Sequence, residues 1–259
     1  MSRALVVVQA RFGSSRLPGK VLADLAGKPL LARVLERAQR IAGIAGVVLA
    51  TTDVEADAAV AALGRACGVE VFRGNENDVL DRYYQAARAT GADPIVRVTA
   101  DCPLLDPAVS AEVVGAYRTG AWDYVSNFAD RRYPDGLDTE VFSFAALERA
   151  WREAALASER EHVTPYIWKH PERFRLGGVA GAQDLSSLRW TVDQPADLDF
   201  VRAVFVALYR EGEPFGMANV LDLLRRRPEL RTINAGFITN EGYTRSLAKD
   251  AAVRQEATP

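Results

Sequence analysis

ALVVVQARFGSSRLPGK, residues 4–20, joins an apolar β-branched run to a loop that sets Gly13, Ser14, Ser15 and Gly19 among three cations, Arg11, Arg16 and Lys20. The run reads as a strand buried on both faces, where apolar residues follow one another without alternation. Glycine-rich backbone can bring amide N–H groups close to phosphate oxygens, and guanidinium forks with an ammonium add the counter-charge. A strand ending in such a loop predicts an α/β sheet whose ligands lie beyond the strand ends. The same residue types also suit a solvated connection, so the rest of the chain has to decide.

Three more runs have the same character: GVVLATT (46–52), VEVFRG (69–74) and PIVRVTA (94–100). Between them Leu30, Leu31, Val34, Leu35, Ala38 and Ile41 recur at helical spacing, as do Ala56, Ala59, Val60, Leu63 and Ala66, and a further helix is predicted over about 78–90. This alternation predicts a twisted, mostly parallel sheet with helices on both faces and right-handed crossovers. Beyond about residue 120 it loosens. WDYVSN and TEVFSF read as strands, FAALERAWREAAL and SEREHVTPYIWKH as helices, SLRWTVD (187–193) as a late strand, and PADLDFVRAVFVALY as a helix. No linker or repeat divides the chain, so one domain is expected over 1–235. Within it, about 1–120 and 186–210 would form one part and about 121–185 a substrate-covering subregion, and 236–259 is a tail with no role assigned.

Composition narrows the partners. Thirty-two Lys and Arg against 34 Asp and Glu give a formal charge of −2, without the basic field of a nucleic-acid binder. Two cysteines and two histidines are too few for a disulfide scaffold or a Cys/His zinc cluster. The opening has no signal-peptide pattern and no run approaches a membrane span, so a cytoplasmic protein is expected.

The loop 9–20 is not a Walker P-loop, because five residues separate Gly13 from Gly19 and Val21 follows Lys20. No G-x-G-x-x-G occurs either. Asp101, just past the strand 94–100, is placed either to hold Mg2+ beside substrate phosphates or to shape a turn. Asp106 before Pro107 reads as a helix N-cap. Asp193, where SLRWTVD runs out, is a second metal candidate or a cap. Asp197 and Asp199 point about 200° apart on a helix and cannot share an ion. The place where a glycosyltransferase D-x-D would stand reads Asp101-Cys102-Pro103, which counts against nucleotide-sugar glycosyl transfer. Asp138 and Glu140 share one face of a strand after a Pro-Asp-Gly turn, suited to polyol hydroxyls or simply the wet face of an edge strand. His162 is a ligand contact or a surface histidine, and Cys102 a packing residue.

In order along the chain, QARFGSSRLPGKVLADLAGKPLL, RGNENDVLDRYYQAA, RVTADCPLLD, YPDGLDTEVF, REHVTPYIW and WTVDQPADLDFV closely resemble the spore coat polysaccharide biosynthesis protein F family of cytidylyltransferases, over about residues 3–235. That family is related to the sialic-acid and 3-deoxy-manno-octulosonate cytidylyltransferases. The resemblance implies a glycosyltransferase-A-like nucleotidyltransferase fold, CTP as donor, Mg2+ and a homodimer. Carried over by motif, Arg11, Ser14, Arg16 and Lys20 would contact the triphosphate, with Arg11, Arg16 and Lys20 catalytic, and Asp101 and Asp193 would hold the metal. Ala10, Gly13, Thr99, Arg73 and Asn75 complete the expected nucleotide contacts, the last two near base or ribose. Asn127, Asp138, Glu140 and His162 are the expected acceptor contacts, for an acidic or amino sugar of surface polysaccharide. The motif TADCP differs from the Gln-Gly-Asp-Glu-Pro pattern of the octulosonate enzymes, so their acid-sugar specificity does not transfer. The rival readings are a nucleotide-sugar-dependent glycosyltransferase and a non-catalytic nucleotide-binding partner.

Overall fold

A computed structural model describes residues 3–14, 16–237 and 241–256, with side chains to 251, so that Ser15 of the opening loop and parts of the tail lie outside it. Among the described residues nine strands and ten α-helices run in the order β1 (Leu5–Gln9), β2 (Asp24–Leu25), β3 (Lys28–Pro29), α1 (Leu30–Ala38), β4 (Gly46–Thr52), α2 (Ala58–Ala66), β5 (Glu70–Gly74), α3 (Val79–Thr90), β6 (Ile95–Thr99), α4 (Pro107–Thr119), β7 (Tyr124–Ser126), β8 (Glu140–Phe142), α5 (Phe144–Glu153), α6 (Ala157–His162), α7 (Pro165–Trp168), β9 (Leu176–Gly178), α8 (Pro195–Leu208), α9 (Met217–Arg226) and α10 (Glu241–Glu256).

Seven of the strands form one sheet in the order β5-β4-β1-β6-β8-β7-β9, and β2 and β3 form a separate hairpin. Pairing is parallel from β5 to β6, antiparallel on both sides of β8, and parallel again at β9. The predicted twisted, mostly parallel sheet is therefore present. β1 lies near its middle, and its alternate residues feed two cores. Val6 and Val8 pack with α1, α4, α8 and α9, while Leu5 and Val7 pack with α3, α5 and α7 on the opposite face. This two-sided burial is why the run shows no alternation.

After β1 the chain builds outward through β4 and β5, then returns to place β6 on β1's other side. The carboxyl ends of β1 and β6 thus flank a topological switch point, where ligands of such sheets bind.

Three expectations are corrected. SLRWTVD forms no strand: only an isolated bridge joins Arg189 to Asp135, and its amides donate to loop carbonyls, Trp190 to Asp135 and Val192 to Asp101. The segment threads between two loops instead of lying along a strand. SEREHVTPYIWKH is two short helices, broken at Val163, whose φ of 74° is off the helical region. Asp138 precedes β8 instead of lying in it, and β8 is an interior strand between β6 and β7. The wet-edge reading of Asp138 and Glu140 therefore falls.

Asp106 caps α4 as its sequence predicts, accepting from the Ala108 amide at 2.8 Å ahead of Pro107. Asp193 does not cap α8. Gln194 takes that position, and the Asp197 carboxylate accepts from the Asp193 and Gln194 amides at 2.9 Å each. The Asp193 side chain is left to face the cleft.

Candidate active site

Two adjoining cavities open at the switch point. The first, of about 220 Å3, is lined by Ala10, Arg11, Gly13, Ser14, Arg16 and Lys20 from the loop after β1, with Thr99 at the end of β6, Asp101 just past it and Asp193 before α8. The second, of about 400 Å3, shares Arg16, Thr99, Asp101, His162 and Asp193 and extends to Asp138 and Glu140.

The loop is shaped from within and from β4. Asp57, fully buried, accepts from the Phe12 amide at 2.6 Å and from the Thr52 amide at 3.3 Å, which ties the loop to the end of β4. Gly19 closes the loop by donating to the Phe12 carbonyl at 3.0 Å, with φ at 71°. A Cβ there would meet the Phe12 ring at 3.0 Å, so glycine suits both the dihedral and the approach.

Lys20 follows directly and crosses the cleft. Its ammonium donates to the Val192 carbonyl at 2.7 Å, Asp193 at 2.9 Å and Asp101 at 3.3 Å. Arg16 donates to Asp193 at 3.0 Å and to Glu241 at 3.0 Å. The metal candidates Asp101 and Asp193 thus converge on one cation, although 92 residues separate them in the chain. Burial works against the Lys20 charge, but the two carboxylates outweigh it and hold its pKa above the ordinary value. Burial likewise opposes the Asp193 carboxylate, and Lys20 and Arg16 overcome it, holding that group below the carboxylate range.

In the larger cavity the carboxylates are paired. Arg97 binds Glu140, which also accepts from the Tyr124 hydroxyl at 2.8 Å. Arg131 reaches Asp138 at 3.1 Å and Asp135 at 3.3 Å, and Arg189 reaches Asp197 at 2.9 Å and Asp135 and Asp193 at 3.4 Å. Burial raises the Asp138 pKa to about 6, only partly offset by Arg131.

Three of the residues read from sequence lie elsewhere. Arg73 donates to the Thr52 and Val54 carbonyls, and Asn75 accepts from the Asn77 and Asp78 amides. Asn127, buried, bridges the Leu137 carbonyl and the Thr139 amide. None of the three is among the lining residues of the two cavities.

The tail, in contrast, is part of the walls. α10 packs on α6, with the Ser158 amide donating to Asp250 at 3.0 Å and Ser246 to Glu161 at 2.7 Å. Glu241, Gly242 and Tyr243 line the larger cavity and Arg245 the smaller. Helical spacing of Tyr243, Ser246 and Asp250 was the available signal, but it is not carried by apolar residues. Arg82 of α3 was also missed. It is buried, lines the smaller cavity, and its Nε has no partner.

His162 touches this helix, with Nε2 3.1 Å from the Ser246 hydroxyl and its ring edge-on to Tyr243. Burial pushes its pKa down to about 4, so it is neutral at pH 7. A depressed folded-state value makes this contribution full above the unfolded pKa of about 6.5 and lost as pH falls toward 4, about 3 kcal/mol in all. Urea melts should therefore show stability falling through pH 6.5 to 4, and His162→Gln should flatten that limb. An unchanged limb in the variant would assign it to other groups.

A family model described as Cytidylyltransferase matches residues 5–225. The spore coat polysaccharide biosynthesis protein SpsF of Bacillus subtilis is 32% identical over 241 residues, covering 90% of this chain and 98% of that protein. A 3-deoxy-manno-octulosonate cytidylyltransferase of an Anaeromyxobacter species is 40% identical, over 82% of this chain and all of that protein. A solved structure of a cytidylyltransferase from Leptospira borgpetersenii superposes with a TM-score of 0.85 at 28% identity, covering 92% of this chain and all of that one. The sheet and its helices accordingly have the glycosyltransferase-A-like nucleotidyltransferase fold. The matched span runs from β1 through Lys20, Asp101 and Asp193 to α9, and with it the chain belongs to the cytidylyltransferase family.

Proposed function

We propose that this protein transfers CMP from CTP to a hydroxyl of a sugar, releasing pyrophosphate, as a step of surface polysaccharide biosynthesis. The observation that carries the reading is the convergence of Lys20, Asp101 and Asp193 beside a cationic glycine loop, with a second cavity adjoining it. The smaller cavity would take the triphosphate and the larger the acceptor. The parts about 1–120 and 186–210 would then serve the nucleotide and 121–185 the sugar, with 241–251 added to both.

The acceptor oxygen attacks the α-phosphorus, the bond to the bridging oxygen of the β-phosphate breaks, and the hydroxyl proton is released. Positioning and charge neutralisation supply most of the catalysis in such a displacement. Lys20 and Arg16 would neutralise charge on the transferring and leaving phosphates, and Arg11, on the same loop, would add to it. Asp101 and Asp193 fit a divalent cation such as Mg2+, because both present carboxylate oxygens toward one point already occupied by positive charge. No cluster of three or more His, Cys, Asp or Glu suited to a metal occurs among the described residues. The ion would therefore complete its oxygen shell from substrate phosphates, as Mg2+ commonly does. When bound, it would supply Lewis-acid neutralisation of the phosphate oxygens.

CTP in excess, with Mg2+, should raise the melting temperature more than ATP, GTP or UTP, since a ligand bound only by the folded state adds about 2.7 kcal/mol at a hundredfold over its Kd. No preference for CTP would remove the reading. The same reading takes the enzyme as a cytoplasmic homodimer, for which light scattering gives the mass. Among the described residues no helix is long and apolar enough to cross a membrane.

A further inference from the structure

We infer that α10 belongs to the nucleotide site: Arg245 is a further triphosphate-binding residue, and Glu241 is the counter-ion that a phosphate displaces from Arg16. This rests on the reading of the smaller cavity as the place of a nucleoside triphosphate. It goes further by giving a part to a helix that lies beyond the span 5–225 matched by the family model.

α10 is held by one face and presents another to the cleft. Ser246 and Asp250, both buried, bind α6, the first donating to Glu161 at 2.7 Å and the second accepting from the Ser158 amide at 3.0 Å. Glu241 and Arg245, also four residues apart, share a neighbouring face. That face is turned to the site, since Glu241 lines the larger cavity and Arg245 the smaller. Gly242 lines both, so the first turn of α10 stands where the two cavities meet.

The partners of Arg16 give Glu241 its role. One guanidinium nitrogen donates to Asp193 and the other to Glu241, each at 3.0 Å. With Asp193 assigned to a divalent cation, the Glu241 oxygen occupies the Nη1 donor that a phosphate oxygen needs. The Glu241 side chain keeps 44% of its surface open, and a pair so exposed is weak and readily resolvated. A multiply charged triphosphate offers the same guanidinium a stronger partner, so Glu241 yields. Arg245 is placed the opposite way. It is exposed and has no ion pair among the described residues, so its charge stays available to an incoming anion. Arg82, 2% exposed with its Nε unpartnered, lines the same cavity and adds donor capacity for that anion.

The test is calorimetric titration of the full chain with CTP and Mg2+, without acceptor, and with CMP as the probe that lacks the outer phosphates. Arg245→Gln is expected to weaken CTP about tenfold, as for the loss of one charge-assisted contact, and to change CMP by about twofold at most. Arg245→Lys should regain part of the loss. Glu241→Gln is expected to tighten CTP about threefold or more by clearing Arg16. Neither position is buried, so melting temperatures without nucleotide should stay at the wild-type value and separate binding from folding. Unaltered CTP affinity in Arg245→Gln overturns the inference, and so does an equal loss for CTP and CMP. Weaker CTP binding in Glu241→Gln also overturns it, because Glu241 would then hold Arg16 in position for the phosphates. In each of these cases a wild-type protein that binds CTP keeps the underlying reading intact. If the wild-type protein binds another nucleoside triphosphate in place of CTP, the reading of the base falls, and the same variants titrated with that nucleotide decide the part of α10. A wild-type protein that binds no triphosphate removes both.

Discussion

Lys20→Met is expected to lower turnover by a hundredfold or more, since removing one group aimed at developing charge typically costs about 10²–10³ in rate. Methionine keeps most of the buried stem and removes only the ammonium, so the loss isolates charge from packing. The structural effect should be smaller and visible in acid. Asp193 is held below its ordinary pKa by Lys20 and Arg16. A depressed carboxylate contributes stability that is present above the unfolded pKa of about 3.9 and is lost as pH falls through the folded value. Lys20 has the opposite sign: its raised pKa contributes stability present below about 10.4 and lost as pH rises through the folded value. Both contributions are therefore intact across neutral pH. In Lys20→Met the acid limb due to Asp193 should shrink to the part Arg16 sustains. Steady-state kinetics and urea melts at pH 7 and 3 measure the two effects, and a variant with wild-type turnover removes Lys20 from the catalytic apparatus.

Gly136→Ala should destabilise the protein by ~3 kcal/mol or more and lower its melting temperature by on the order of 10 °C. Gly136 has φ at 110°, a region L side chains rarely adopt, and an added Cβ would lie 2.7 Å from the Thr191 amide nitrogen and 2.8 Å from the Trp190 carbonyl carbon. Those neighbours are backbone, so no rotamer change relieves the clash. The approach exists because Asp135 pins the loop 134–138 against 188–192, its amide donating to the Leu188 carbonyl at 2.9 Å and its carbonyl accepting from the Trp190 amide at 2.7 Å. Both ends of that contact carry cavity residues. Asp135 and Asp138 flank Gly136, and Arg189 and Thr191 flank Trp190. Activity should accordingly fall further than the residual folded fraction explains. Circular dichroism melts with kinetics well below the transition separate the two, and an unaltered melting temperature would contradict so close an approach of the two loops.

Where burial is two-sided and local spacing is regular, sequence was enough. β1 and β4 came from unbroken apolar runs, β6 and the edge strand β5 from β-branched runs interrupted by Arg97 and by Glu70 and Arg73, and α4 from Asp106-Pro107. The corrections have two causes, tertiary hydrogen bonds and a strained backbone position. Leu188–Asp193 has the composition of a strand, but its hydrogen bonds go to loops at Asp101 and Asp135, distant in sequence. Val163 holds a backbone conformation unfavourable to a branched side chain, which no propensity would place there. In the candidate site, Lys20 was legible from the cationic glycine loop that it ends, Asp101 from its place just past a strand and Asp193 from its place just before a helix. Asp57, Arg97 and Arg189 were not, because their significance lies in tertiary partners. Arg73, Asn75 and Asn127 look like ligand contacts by type, yet backbone groups of nearby loops satisfy them.

The tie between Arg16 and Glu241 spans 225 residues, and that between Lys20 and Asp193 spans 173. Contacts of such separation close very large loops, whose entropic cost must be met before the contact returns anything. Nucleation of folding therefore falls to nearer neighbours, such as the β1–β4 and β4–β5 units with their intervening helices. The cluster of Arg16, Lys20, Asp193 and Glu241 acts afterwards, as a fastening that slows escape from the finished state and contributes little to the speed of reaching it.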